Sequence, residues 1–230
     1  MCGRYALISP VAEIEARVGA RVGPDLAAEL PRYNAAPGQE LPIKRDAGDA
    51  VDAARWGFVP EGSRRRADAD HINARSETVD EKPTFRDAFE ADPENPTRGR
   101  CVVPVDGFYE WTDDGPYYVS VEDRPVLLAG VWEEWTPPTT QTGLDSFGAG
   151  GPEDPDPIRT FAVLTNEPNE LVSELHHRMA TVVSDPAAYL SAGALPDTPF
   201  PAERMSARRV STAVNDPAND GPEVLTAPAE

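Results

Sequence analysis

Apolar positions in this chain fall mostly into short runs or two-residue alternations, and only briefly into helical spacing. The stretches 101–105 (Cys-Val-Val-Pro-Val), 117–121, 126–132 and 159–164 are apolar or alternating and are bounded by Gly, Pro and Asp, which predicts strands. Val11, Ile14 and Val18 follow Ser9-Pro10 at helical spacing, so a short helix is expected to about Gly19, with Ser9 as its cap and Pro10 in its first turn. Phe85 and Phe89 sit four apart within 84–91, another helical segment. The stretches 169–175 and 185–190 read as short helices, the second opening on Asp185-Pro186, and 210–214 as a last strand. The stretch 33–39 reads as a turn-rich loop, and 56–60 as an aromatic segment closed by proline. The region 136–157, rich in Pro, Gly, Thr and acidic residues, reads as a mobile surface insertion, because strands lie on both sides of it. Strands outnumber helices and no repeat is found. The expected class is α+β: a single domain over 1–230, with a mostly antiparallel, barrel-like sheet and short peripheral helices.

Charge sharpens this picture. Forty acidic residues face 21 basic ones, of which only Lys44 and Lys82 are lysine, for a formal net charge of −19. Self-repulsion on this scale destabilises a compact chain unless salt screens it, so a salt-adapted, halophilic source is expected. Net acidity ordinarily argues against nucleic-acid binding, but here it reports the solvent more than the partner. No run of about 18 apolar residues and no signal peptide is seen, so neither a membrane span nor export is expected. Two cysteines, one at position 2, make no disulfide framework.

Four polar patches are hard to explain by packing: Cys2-Gly3-Arg4-Tyr5, the 73–78 stretch Asn-Ala-Arg-Ser-Glu-Thr, the 100–111 stretch ending in Glu110-Trp111, and His176-His177-Arg178-Met179. With Met1 removed, Cys2 would carry an α-amine and a thiol on adjacent carbons. Their ordinary pKa values, roughly 7.7–8.0 and about 8.5, leave both partly nucleophilic near neutrality. Such a 1,2-aminothiol condenses with an aldehyde, first as an imine and then as a five-membered thiazolidine. Glu110, between aromatics after an apolar strand, is a candidate desolvated acid or base. The alternatives are an inert buried cysteine, an exposed strand-end glutamate and histidines that merely add polarity at a helix end. The basic triplet Arg64-Arg65-Arg66 is read as a solvated loop. The spacings of a zinc site, a phosphate-binding loop and a dinucleotide fingerprint are all missing from the sequence, so no metal and no nucleotide or other cofactor is expected.

Taken together and in order, these patches resemble the SRAP (SOS response-associated peptidase) family, whose members process abasic sites in DNA. Further agreement comes from the 33–37 stretch Tyr-Asn-Ala-Ala-Pro, Trp56-Gly57-Phe58-Val59-Pro60, the 129–132 stretch Ala-Gly-Val-Trp and the closing 210–215 stretch. The chain departs from the family pattern in having Ala180 where a proline usually follows the methionine, and in the length of the 136–157 insertion. The resemblance implies the SRAP fold and covalent capture of abasic sites in single-stranded DNA by Cys2. It also implies proton shuttling by Glu110, acid–base help from His176, and Asn73 holding the N-terminus and sugar by hydrogen bonds. Arg4, Arg75 and Arg178 are expected on phosphates, and Trp56, Phe58 and Trp111 against unpaired bases. In high salt these basic residues would have to concentrate in one groove beside Cys2. The resemblance further implies a cytoplasmic, nucleoid-associated monomer acting in DNA-damage repair and the SOS response, with weak lyase activity and slow crosslink reversal as side reactions. Two rival readings stay open: an N-terminal-nucleophile thiol peptidase that processes itself, and a passive single-strand binder that would need none of Cys2, Glu110 or His176.

Overall fold

In the computed structural model the described residues are 2–46, 48–63, 71–93, 95–137 and 156–228. The Arg64-Arg65-Arg66 triplet and nearly all of the 136–157 insertion lie outside them. The first part of the chain forms β1 (Tyr5–Leu7), α1 (Val11–Val18), β2 (Arg21–Val22), α2 (Pro24–Ala28), β3 (Arg32–Ala35), β4 (Glu40–Arg45), β5 (Ala50–Trp56), β6 (Asn73–Arg75) and α3 (Pro83–Phe89). The middle forms β7 (Arg98–Val105), β8 (Gly107–Thr112), β9 (Gly115–Val121), β10 (Val126–Trp135) and β11 (Ile158–Asn166). The remainder forms α4 (Glu170–Ser173), β12 (Met179–Ala180), α5 (Pro186–Ala192) and β13 (Met205–Arg209).

Two sheets result. One has the order β13-β9-β8-β1-β3 and is antiparallel throughout. The other runs β12-β11-β10-β7-β4-β5-β2, with β6 beside β11, and a parallel pairing of β11 with β5 closes five of its strands into a ring. The expected α+β class with barrel-like, mostly antiparallel sheets is what forms. Inside, Trp56 packs on Tyr5 and Phe161 at ring-centroid distances of 5.3 and 6.2 Å. At Gly107 a Cβ would fall 2.4 Å from the Val119 carbonyl oxygen, so only glycine allows β8 to close on β9 at the point where it also pairs with β1.

The strands expected around 101–105, 117–121, 126–132 and 159–164 form, each extended by up to three residues at either end. Three expectations are corrected. Ser9 is not a helix cap: α1 has no side-chain cap bond, and the Ser9 hydroxyl donates to the buried Asp106 carboxylate at 2.5 Å. The last strand is β13, not 210–214, where Val210 and Val214 are buried and Thr212–Asn215 is a 3-10 turn. β13 escaped notice because an edge strand with a wet face needs no apolar run. The 33–39 stretch begins as strand, its first three residues belonging to β3 and paired with β1, and only 36–39 is the expected turn. Among the described residues no helix is long and apolar enough to cross a membrane.

Candidate active site

The pairing of β1 with β8, Tyr5 opposite Phe108, continues through a bond from the Tyr109 N–H to the Arg4 carbonyl at 2.9 Å. The chain ahead of β1 therefore lies along β8 towards Glu110. Cys2 is wholly buried there. Burial pushes its thiol up to about 12, and the nearby Glu110 charge adds to the rise. Asn73, the first residue of β6, crosses from the other sheet, and its Nδ2 donates to the Cys2 carbonyl at 2.9 Å. Its Oδ1 is buried and has no hydrogen-bond partner among the described residues, an acceptor held ready beside the N-terminal segment.

Glu110 is 3% exposed, and burial raises its carboxyl to about 7, with the positive amino terminus of the chain acting against the rise. A carboxyl poised there exchanges a proton readily at neutral pH. His176 lies in the turn between α4 and β12. Burial lowers its pKa, and the amino terminus lowers it further. The charge of the amino terminus thus bears on Cys2, Glu110 and His176 alike. The peptide of Arg178 offers His176 Nδ1 both a donor N–H at 3.0 Å and an acceptor carbonyl at 3.1 Å. Either neutral tautomer is therefore anchored at Nδ1. Among the described residues no group of His, Cys, Asp and Glu is arranged to hold a metal ion.

The residues expected on DNA are placed less uniformly. Trp56 and Phe58 are fully buried. Their rings sit in two separate core clusters and the Trp56 Nε1–H is spent on the Ile72 carbonyl at 2.9 Å, so neither presents a face to a base, and the stacking expectation is corrected for both. Trp111 is 38% exposed, with Arg4 over its ring at 5.6 Å and its Nε1 donating to Asn215 Oδ1 at 2.7 Å. Arg4 also donates to Asn34 Oδ1 and to the Val214 carbonyl, both at 2.7 Å. Arg178 is 9% exposed, with its fork on Glu77 at 2.7 and 2.7 Å. Arg75 is exposed. The expected groove is thus not three free guanidinium groups, because two of them are already engaged within the fold.

Three residues that tie separate segments together escaped the sequence reading. Asn34, buried, takes Arg4 and donates to the carbonyls of Val214, Asp216 and Asn219, so it ties the N-terminal strand to the closing segment. Asp106 accepts from Ile8 N, Ser9 N and Ser9 Oγ. Glu77 clamps Arg178. Asn34 and Glu77 both stand within the motifs that carry the family resemblance, which is the one signal that could have singled them out.

Sheets of this order, closed through β5 and β11 and with the N-terminal segment laid across their junction, define a fold also seen in two solved bacterial proteins. One, from Bacteroides thetaiotaomicron, superposes with a TM-score of 0.77 at 24% identity, over 98% of this chain and all of that one. The other, from Bordetella bronchiseptica, gives 0.68 at 23% identity, over 90% and 98%. The chain belongs to the SOS response associated peptidase (SRAP) family, whose model it matches over residues 1–217. Its relatives include the abasic site processing protein YoaM of Bacillus subtilis, 29% identical over 99% of this chain and 98% of the relative. YoqW, of the same species and the same description, is 28% identical over 98% and 99%. The abasic site processing protein HMCES of Gallus gallus is 28% identical over 98% of this chain and 77% of its own length.

Proposed function

We propose that this protein processes abasic sites by capturing them covalently in single-stranded DNA through Cys2. The observation that carries the reading is the bond from Asn73 of β6 to the carbonyl of Cys2, which ties the second sheet to the buried N-terminal segment beside Glu110. The descriptions of the relatives as abasic site processing proteins support it.

With Met1 removed, the Cys2 amine attacks C1′ of the open-chain sugar aldehyde. The carbinolamine loses water to give an imine, with Glu110 passing protons between the amine and the departing oxygen. The Cys2 sulfur then bonds to C1′ as the C=N π bond opens, and the thiol proton is transferred to nitrogen. The balance is one water lost. A thiol held up at about 12 is a poor first nucleophile, which favours amine-first capture over thiolate attack on a peptide. His176 Nε2 serves the sugar oxygen, promoting ring opening and slow reversal. The free Asn73 Oδ1 accepts from the amine or a sugar hydroxyl. Elimination from the imine would give a weak lyase reaction.

Of the residues expected on DNA, Arg75 and the exposed face of Trp111 are available at the surface to phosphate and base, and an unpaired strand is what they can reach. We read the net charge of −19 as adaptation to high salt, in which capture depends on the covalent step and on stacking more than on counterion release. The setting we propose is a single domain, acting as a monomer on the chromosome in the cytoplasm.

The test is a denaturing gel of the protein mixed with single-stranded DNA carrying one abasic site, beside Cys2→Ala. A heat-stable shifted band, lost in the variant, supports the reading. Its absence from protein confirmed to lack Met1 refutes it.

A further inference from the structure

Glu77 spends its carboxylate on Arg178 and not on Cys2 or Asn73, yet it links the elements that hold the site. It lies in the 3-10 turn Ser76–Thr78, directly after β6, the strand that starts with Asn73. Its two carboxylate oxygens accept from Arg178 Nη1 and Nη2 at 2.7 Å each. Arg178 is buried against the Thr165 carbonyl on β11. Its own peptide supplies the donor and the acceptor that hold His176 Nδ1. The Arg178 side chain thus pins the peptide that orients the imidazole, and Glu77 pins the Arg178 side chain. A bidentate carboxylate–guanidinium pair fixes angle as well as distance, which a single contact would not.

We infer that Glu77 is a positioning residue for this site: its two-pronged pair with Arg178 holds the His176 turn in register with β6, so that the imidazole and Asn73 meet the same substrate. The inference rests on the proposed capture reaction. It accounts for a guanidinium that is buried with its fork turned inward on Glu77.

The charge of Glu77 also matters to the ring. Among the described residues, the charged and titratable groups on the elements around His176 include Glu174, His177 and Arg178 of its own turn, Arg75 and Glu77 at and after β6, and Glu110 on β8. His177, Arg178 and the terminus each disfavour the imidazolium, and the His177 ring lies 4.2 Å from that of His176. Glu77 offsets the Arg178 charge. Its removal leaves that charge uncompensated beside the ring, so the His176 titration moves to lower pH.

Two measurements on the full chain test this, with Glu77→Gln, Glu77→Asp and His176→Ala. Glu77→Gln is expected to slow crosslinking to abasic single-stranded DNA about tenfold, the scale on which partners of a reacting group act. In the His176→Ala background it adds nothing further, because the two changes remove one function. NMR titration of the three histidines, assigned by single substitution, shows the His176 midpoint lowered in Glu77→Gln and returned towards wild type in Glu77→Asp. Equal slowing in both backgrounds, or an unmoved His176 midpoint, overturns the inference. Should wild type form no crosslink at all, the capture reading fails, while the titration still decides whether Glu77 acts on His176.

Discussion

Replacing Glu110 by Gln should raise the stability of this protein while removing its activity. The carboxyl sits on β8 with 3% exposure, and burial moves it from an ordinary 4.5 to about 7. A carboxyl whose pKa is higher folded than unfolded makes the native state bind protons more tightly. Its ionisation therefore weakens the fold: nothing is lost below pH 4.5, the loss grows between 4.5 and 7, and it is complete above 7. At about 1.4 kcal/mol per pH unit, the penalty reaches about 3 kcal/mol as an upper figure. Glutamine keeps the volume and cannot ionise. Urea unfolding at constant salt is then expected to give equal stabilities near pH 4 and a Glu110→Gln advantage of up to about 3 kcal/mol above pH 8. The same variant should lose crosslinking at every pH. A stability difference that does not change with pH, or a less stable variant at pH 8, would refute the argument that burial of this carboxyl is maintained for function at the expense of the fold.

Other substitutions separate packing from recognition. Trp56→Ala, emptying a fully buried site, is expected to cost about 3–5 kcal/mol in denaturant unfolding and to weaken DNA binding only through loss of folded protein. Trp111→Ala should leave the melting temperature in place and weaken binding to undamaged single strands by about 1–3 kcal/mol in fluorescence anisotropy. An unchanged affinity would remove Trp111 from the DNA surface. Asp106→Ala strips the Ile8 and Ser9 N–H groups and the Ser9 hydroxyl of their shared acceptor. It should lower stability by about 3 kcal/mol or more, because buried donors are left without partners.

Much of this was legible in the sequence. The long strands β7, β9, β10 and β11 have apolar or alternating runs, and Val11, Ile14 and Val18 mark α1 by spacing alone. The short strands β2, β6 and β12 were not legible, because two or three residues carry no period and owe their form to pairing on β5 and β11. β4 and β5 carry Lys44, Arg45 and Asp52 on the barrel wall, with Arg45 and Asp52 paired at 2.6 Å, which hides the alternation. In the site, chemistry singled out Cys2, Glu110 and His176, since an aminothiol, a carboxyl among aromatics and paired histidines are unusual where they stand. Burial was not visible at that level. Trp56 and Phe58 read as aromatic platforms and proved to be core, and Arg178 read as a phosphate ligand and proved to be paired with Glu77. Which side of a strand faces solvent depends on the other sheet, and no single segment specifies it.

The most direct test of capture by the Cys2 aminothiol is intact and peptide-level mass spectrometry of the product formed with abasic single-stranded DNA. The account predicts a mass equal to DNA plus Met1-free protein less one water, with the adduct on the N-terminal Cys2 peptide and its thiol no longer alkylatable. An adduct on another residue, or a Cys2 adduct whose thiol remains free and which survives only after borohydride reduction, would contradict it.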